Sequence, residues 1–167
     1  MNQEEISYCL DSNVLIQAWQ KYYSPVYCPT YWDVLNELGD EDKIFIPSMV
    51  YDEIVITDDD LSDWLKKSNI KVKPITSDVT QTLKSIYAAD PSHKHLVDNK
   101  KGRSLADPWV IAHAIKESAI VVTKEEKVTA LNSKKMKIPN VCENMGIDWI
   151  TDYQMVEQLG IKFNCER

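Results

Sequence analysis

The stretch ISYCLDSNVLIQAW at residues 6–19 places an acidic side chain at the point where a short apolar strand meets a helix. The largely apolar run before Asp11 is long enough for a buried strand. Val14, Leu15 and Ala18 then recur at the spacing that puts side chains on one face of a helix. This junction of strand, acid and helix is the starting point for predicting the fold. It also raises the question of why a buried strand should end on a carboxylate.

Strand-like runs recur along the chain, and helical patterns separate them. Strands are predicted at residues 6–10, 43–46 and 119–122, with weaker candidates at 70–75 and 139–142. Alternation of strands with helices predicts an α/β fold whose mainly parallel central sheet is covered on both faces. In such sheets, ligands collect beyond the carboxyl ends of the strands. Asp11 stands at that edge.

Length and composition exclude several classes of protein. A chain of 167 residues predicts a single domain over residues 1–167. No apolar run approaches the roughly 20 residues that cross a bilayer, so no membrane role is expected. The N-terminus lacks the regions of a secretory signal, so a cytoplasmic location is expected. A net charge of −7 argues against nucleic-acid binding through bulk positive charge. The four cysteines lack the paired spacing of zinc sites.

Further acids are predicted near the same sheet edge as Asp11. Glu53 lies on the helix after the second strand, Asp107 lies near the start of an otherwise apolar helix, and Glu125 and Glu126 follow a buried strand. Converging carboxylates repel each other and are costly to bury, so they persist where a cation neutralises them. An all-oxygen cluster favours Mg²⁺ or Mn²⁺ over zinc. Such an ion suits phosphoryl chemistry.

Each acid taken alone also has a simpler explanation. Asp11 is a favoured residue for capping the helix that follows it. Glu53 suits a solvated helix position, and Asp107 precedes a proline at a helix start. Glu125 and Glu126 suit an exposed run of mixed charge. The metal-site prediction therefore depends on the joint placement of the acids.

Four segments, taken in order, resemble the motifs of PIN-domain ribonucleases, including VapC-like toxins. They are YCLDSNVLI at 8–16, IPSMVYDEI at 46–54, LADPWVIAHA at 105–114 and IVVTKE at 120–125. The likeness extends over nearly the whole chain. It implies a three-layer α/β/α fold with a central mainly parallel sheet, and cleavage of RNA phosphodiester bonds that depends on Mg²⁺ or Mn²⁺.

The resemblance also implies roles for individual residues. Asp11, Glu53 and Asp107 match the acidic positions that bind the metal, and Asn13 and Thr123 match the polar positions that orient the site. Many single-domain members of the family are toxins of type II toxin–antitoxin systems. A cognate antitoxin and a homodimer are therefore the expected protein partners, and RNA is the expected substrate.

The fourth acidic motif departs from the family pattern. The family usually carries Asp two residues after the threonine, whereas here Glu125 follows Thr123 at that spacing, with Glu126 as the alternative. This departure supports a second interpretation, a catalytically impaired PIN-like module that binds RNA or protein. In a third, Asp11 is the covalent nucleophile of a phosphotransferase-type protein. That chemistry usually requires an acid where Asn13 stands.

A basic segment at residues 93–103 precedes the Asp107 motif. We hypothesise that Lys100, Lys101 and Arg103 contact the RNA backbone, because phosphate contacts supply affinity independent of base sequence. A solvated loop is the simpler alternative. The basic run at residues 134–137 is expected to be a solvated turn.

The histidines are predicted to have structural roles. His113 lies among apolar residues and is expected to be a hydrogen-bonded histidine of the core. His93 and His95 have no evident partners for a zinc site, which needs further ligands.

Overall fold

The computed structural model describes residues 5–98, 100–102 and 104–167, which form five strands and eight α-helices. The strands are β1 (Tyr8–Leu10), β2 (Ile44–Pro47), β3 (Lys71–Lys73), β4 (Ile120–Val122) and β5 (Trp149–Ile150). The helices are α1 (Ser12–Gln17), α2 (Pro29–Asp40), α3 (Ser48–Val55), α4 (Asp60–Lys67), α5 (Ser77–Ala89), α6 (Asp107–Glu117), α7 (Ile138–Met145) and α8 (Asp152–Gln158). A π-helical turn (Ala18–Tyr22) continues α1, and a 3₁₀ segment (Pro91–Leu96) follows α5.

The five strands form one parallel sheet in the order β3-β2-β1-β4-β5. Tyr8 of β1 pairs with Ile44 on one side and with Ile120 on the other. The chain therefore builds outward from β1 to β3 and then crosses to β4 on the opposite side of β1. Strand order reverses between β1 and β4, which opens a crevice at the carboxyl ends of these two strands. The fold is the three-layer α/β/α arrangement that the sequence predicts.

Helix α6 lies at the centre of the molecule, in contact with β1, β2 and β4. Most of its apolar side chains are buried, whereas Trp109 and Ile115 are half-buried, and all three residues of β1 are buried. Parallel strands bury both faces, which explains why their sequences read as continuous apolar runs. Burial of α6 against three strands fixes its first residue, Asp107, at the carboxyl edge of the sheet.

The segment at residues 139–142, a weak strand candidate in the sequence, is helical and belongs to α7. Pro139 lies in the first turn, where its missing N–H costs nothing. Gly146 ends the helix in a left-handed conformation, with φ of 65°. A short apolar run does not distinguish a strand from a buried helix, and the last strand lies further along, at β5. No helix in the described part of the chain is long and apolar enough to cross a bilayer.

Candidate metal and nucleic-acid site

The ends of β1 and β4 are joined at the crevice by Asp11. Its backbone N–H donates to the carbonyl of Val122 at 3.0 Å, and its carboxylate accepts from the Thr123 hydroxyl at 2.9 Å. The second carboxylate oxygen accepts from the N–H of Ser12 at 2.8 Å, so Asp11 also caps α1. Asp11 is only 2 % exposed. The capping role expected for a lone aspartate is therefore present, on a carboxylate that is buried where the two central strands end.

Asn13 and Thr123 connect α1 to the segment that follows β4. The Asn13 side-chain carbonyl accepts from the Lys124 N–H at 3.1 Å, and its amide nitrogen lies 3.5 Å from the Thr123 hydroxyl. That hydroxyl also accepts from the Glu125 N–H at 3.1 Å. These bonds hold the segment after β4 beside Asp11, the geometry expected of residues that orient an acidic site.

Asp107 and Asp11 lie close enough to perturb each other. Burial, followed by the charges of Asp11 and Glu125, raises the pKa of Asp107 from 3.8 to about 9. Burial and the charge of Glu125 raise the pKa of Asp11 from 3.8 to about 7, although its bonds from Thr123 and Ser12 oppose the change. The carboxylates therefore share one poorly solvated region, in which their ionised forms repel each other.

Glu53 reaches the same region from α3, although much of its side chain is exposed. Partial burial of its carboxyl raises the pKa of Glu53, and the Ser12 hydroxyl opposes that change. Its charge contributes to the raised pKa of both Asp11 and Asp107. Glu53 therefore stands at the solvent side of the cluster.

Glu125 lies between the acids and the start of α7. Its side chain is 13 % exposed, whereas Glu126 is exposed. One carboxylate oxygen accepts from the Ile138 N–H at 2.9 Å, and the other lies 3.5 Å from Nζ of Lys137. Of the two neighbouring glutamates, Glu125 is the one whose charge acts on the buried aspartates. Its assignment as the fourth ligand stays a prediction.

The chemistry of this cluster fits a divalent ion. Its donors are carboxylate oxygens, which Mg²⁺ and Mn²⁺ prefer, and the raised pKa values of Asp11 and Asp107 mark a site that lacks compensating positive charge. The carboxylates do not converge on a single point, however. Within residues 5–98, 100–102 and 104–167, no group of three or more His, Cys, Asp or Glu side chains has the arrangement that holds a metal.

A groove of about 880 Å³ opens beside Asp107 and Glu125, and two lysine-bearing segments line it. We call Lys94, Lys100 and Lys101 the first wall, and Lys134, Lys135 and Lys137 the second wall. Lys100 and Lys101 were singled out in the sequence as RNA contacts; Arg103 lies outside the described residues. The second wall has the exposed lysines, Lys134 and Lys135, that a solvated segment predicts, and it also lines the same groove.

Sequence reasoning missed a buried ion pair next to the acids. Nζ of Lys124 lies 2.9 and 3.0 Å from the two carboxylate oxygens of Asp152, and it stacks over the rings of Tyr22 and Tyr153 at 4.1 and 4.2 Å. The pair connects the segment after β4 to α8 and to the π-helical turn. Because Lys124 and Asp152 are far apart in sequence, no local pattern could have found the pair.

The histidines have structural positions rather than ligand positions. His93 is buried, with Nδ1 at 2.8 Å from the Ile86 carbonyl and Nε2 at 3.1 Å from the Asn144 amide nitrogen. His113 is also buried, but neither ring nitrogen has a hydrogen-bond partner among the described residues. The prediction of a hydrogen-bonded His113 is wrong, since no described residue supplies a partner to either ring nitrogen.

The architecture is that of a VapC-like PIN domain, as the sequence motifs predict. The solved structure of VapBC2 from Rickettsia felis, bound to a DNA fragment from their promoter, matches with a TM-score of 0.58 and 16% identity, covering 87% of this chain and 98% of that one. A toxin–antitoxin complex from Klebsiella pneumoniae matches with a TM-score of 0.48 and 13% identity, covering 79% of this chain and 98% of that one.

At the level of sequence, the chain belongs to the family described as "Domain of unknown function (DUF4411)", whose model matches residues 8–163. No curated protein sequence matches it.

Proposed function

We propose that this protein is an Mg²⁺- or Mn²⁺-dependent endoribonuclease and the toxin of a type II toxin–antitoxin system. The observation that carries the proposal is the pair of buried carboxylates at the switch point of the sheet. Burial and neighbouring acids raise the pKa of Asp11 to about 7 and that of Asp107 to about 9. The ionised carboxylates destabilise the folded protein because they are buried close together, and a bound divalent ion would offset that destabilisation.

The chain's own residues divide the work of such a site. Asp11 and Asp107 would hold the ion from the buried side, and Glu53 and Glu125 from the side of the groove. When bound, the ion would supply a water of lowered pKa and positive charge beside the scissile phosphate.

Asn13 and Thr123 orient this arrangement. The Thr123 hydroxyl donates to Asp11 at 2.9 Å and accepts from the Glu125 N–H at 3.1 Å. One hydroxyl thus fixes two of the acids relative to each other. The substrate's phosphates would lie along the first wall, where Lys100 and Lys101 are exposed to solvent.

The proposed partners follow from the fold. A chain of the solved VapBC2 toxin–antitoxin structure has this fold, which supports a cognate antitoxin for this chain. A homodimer and a cytoplasmic location belong to the same proposal. Co-expression with the product of the neighbouring gene, followed by co-purification, tests the antitoxin partner directly.

Titration calorimetry with Mn²⁺, on the wild type and on Asp11→Asn, tests the metal. The wild type should bind the ion, and the variant should bind it at least about tenfold more weakly, because a lost charged ligand costs more than 1.4 kcal/mol. Cleavage of transfer RNA and messenger RNA, with and without chelator, then tests the reaction. Equal weak binding by both proteins and no chelator-sensitive cleavage would contradict the proposal.

A second candidate function is a PIN-like module that binds RNA or protein without cleaving it. It is favoured by the engagement of Glu125 with the start of α7 and by the lack of a ready-made three-ligand set within the described residues. Under this alternative, RNA would bind equally well with and without Mn²⁺, and would remain intact.

A further inference from the structure

The second wall is exposed to solvent, and hydrogen bonds to α7 hold its backbone in place. After Glu125 the chain folds back on itself, and Asn140 holds the two arms of the loop together. The Asn140 side-chain oxygen accepts from the N–H groups of Val128 at 3.1 Å and Lys137 at 3.3 Å, while its amide nitrogen donates to the Val128 carbonyl at 2.9 Å. The bond from the Ile138 N–H to Glu125 closes the loop at its base. The lysines therefore project from a backbone that is anchored at both ends.

The positive charge of an acidic protein is concentrated here. The chain has a net charge of −7, yet six of its 19 Lys and Arg residues line this one groove against only three acids. The lysine side chains converge where Asp107 and Glu125 begin the acidic cluster. Lysines beside an acidic cluster suit the binding of a polyanion, such as a nucleic-acid backbone, that passes over a cation-binding site.

Helix α7 is the shared base of the two walls. Asn140 anchors the second wall, and Asn144, one turn further along, bonds to His93 just before the first wall. Residues four apart lie on the same face of a helix. The Nδ1–H of His93 donates to the Ile86 carbonyl, which leaves Nε2 as the acceptor for Asn144. Helix α7 thus supports the second wall directly and the start of the first wall through His93.

We propose that Lys134, Lys135 and Lys137 form a second phosphate-binding wall, so that an RNA backbone is held from both sides of the groove. The inference rests on the proposed ribonuclease function and deepens it. Lys137 is the member of this wall nearest the acids, 3.5 Å from the Glu125 carboxylate. It therefore contacts the phosphate adjacent to the reacting one, whereas Lys134 and Lys135 bind phosphates further along the strand.

The test measures RNA binding without cleavage, in EDTA, using a fluorescein-labelled RNA hairpin and fluorescence anisotropy. Salt is varied from about 0.05 to 0.2 M, and the slope of log K against log salt counts the phosphate contacts. The triple variant Lys134→Gln, Lys135→Gln, Lys137→Gln should lower the magnitude of the slope by about 2 to 3, since each contact contributes about 0.7 to 0.9. Affinity at 0.1 M salt should fall by about tenfold or more.

The matched control carries the same change in net charge on exposed lysines outside the groove, Lys67→Gln, Lys84→Gln and Lys162→Gln. Its slope should equal that of the wild type. A first-wall triple variant at Lys94, Lys100 and Lys101 should lower the slope as much as the second-wall variant does.

Three outcomes overturn the proposal. If the second-wall variant keeps the wild-type slope while the first-wall variant loses it, one wall alone binds RNA and the ribonuclease proposal stands. If the control loses as much as the second-wall variant, net charge rather than the groove governs binding. If the wild type neither binds nor cleaves RNA, the proposed function fails as well. The double variant Lys134→Gln, Lys135→Gln keeps the Lys137–Glu125 contact. If the triple variant folds poorly, the double variant should still lower the slope by about 1.4 to 1.8, the equivalent of two phosphate contacts, and an unchanged slope would overturn the proposal.

Discussion

Replacing Asp107 with Asn should stabilise the protein when no divalent ion is present. In the folded protein, burial and the charges of Asp11 and Glu125 raise the pKa of Asp107 from 3.8 to about 9. In the unfolded chain these groups are hydrated and far apart. At neutral or alkaline pH, the folded state therefore carries a free-energy cost that the unfolded state does not, and an uncharged amide of the same shape removes it.

The magnitude follows from the pKa change. Each pKa unit corresponds to about 1.4 kcal/mol, so complete relief at pH 8 would be worth several kcal/mol. The gain is smaller than that, because Asp11 and Glu125 still repel each other in the variant and the amide, like the protonated carboxyl it replaces, remains a buried polar group. We expect a net gain of about 2 kcal/mol in the free energy of unfolding. For a chain of this size that raises Tm by about 4 to 8 °C.

Thermal unfolding in EDTA, followed by circular dichroism between about pH 4 and pH 9, measures the effect. A carboxyl whose pKa is raised by folding favours the folded state while it is protonated. That stability is lost as pH rises, through about 7 for Asp11 and about 9 for Asp107. The advantage of Asp107→Asn should therefore be small near pH 4 and grow with pH. Added Mn²⁺ should raise Tm of the wild type and leave that of the variant nearly unchanged.

The control is Asp33→Asn, which removes one charge from an exposed position on α2. It should change the free energy of unfolding by less than about 0.5 kcal/mol at any pH. The reasoning would be refuted if Asp107→Asn melted at or below the wild-type temperature at pH 8 in EDTA. An advantage that did not vary with pH would refute it equally.

Three further changes test other buried contacts of the fold by thermal unfolding. Lys124→Met leaves the buried Asp152 carboxylate without its partner, and should cost about 3 kcal/mol; no loss would show that the ion pair is dispensable. Gly39→Ala places a methyl group 2.7 Å from Cα of Ile70, and should cost about 2 kcal/mol without altering RNA binding. Burial lowers the pKa of His113, so the wild type should lose stability as pH falls below about 6.5. His113→Leu should abolish that acid loss and add about 1 kcal/mol at neutral pH.

The sequence alone predicts the sheet well, because parallel strands bury both faces and read as apolar runs. The motif around Asp11 also locates the carboxyl edge of the sheet, since an acid after a buried strand has few other places to lie. Burial of α6 explains why Asp107 was identified: an acid in the first turn of an apolar helix stands out. The position of Glu53 beside them follows from the parallel arrangement of β1 and β2.

What the sequence alone does not predict are contacts that depend on the chain folding back. The place of residues 134–137 beside the groove has no local signature, because the anchor of the segment, Asn140, binds Val128 across a loop. Neither the π-helical turn nor the Lys124–Asp152 pair has a local signature. Helix α7 was missed in the same way, since a short apolar run after a proline suits either type of secondary structure.

The eight-residue helix α7 contacts both lysine-bearing segments of the groove and one of the candidate metal ligands. Asn140 and Asn144 bond to the segments that carry the two walls, and the Ile138 N–H at the start of the helix donates to Glu125. A substitution that displaces α7 would therefore move the lysines of both segments and Glu125 together, while Asp11 and Thr123 keep their positions at the ends of the strands.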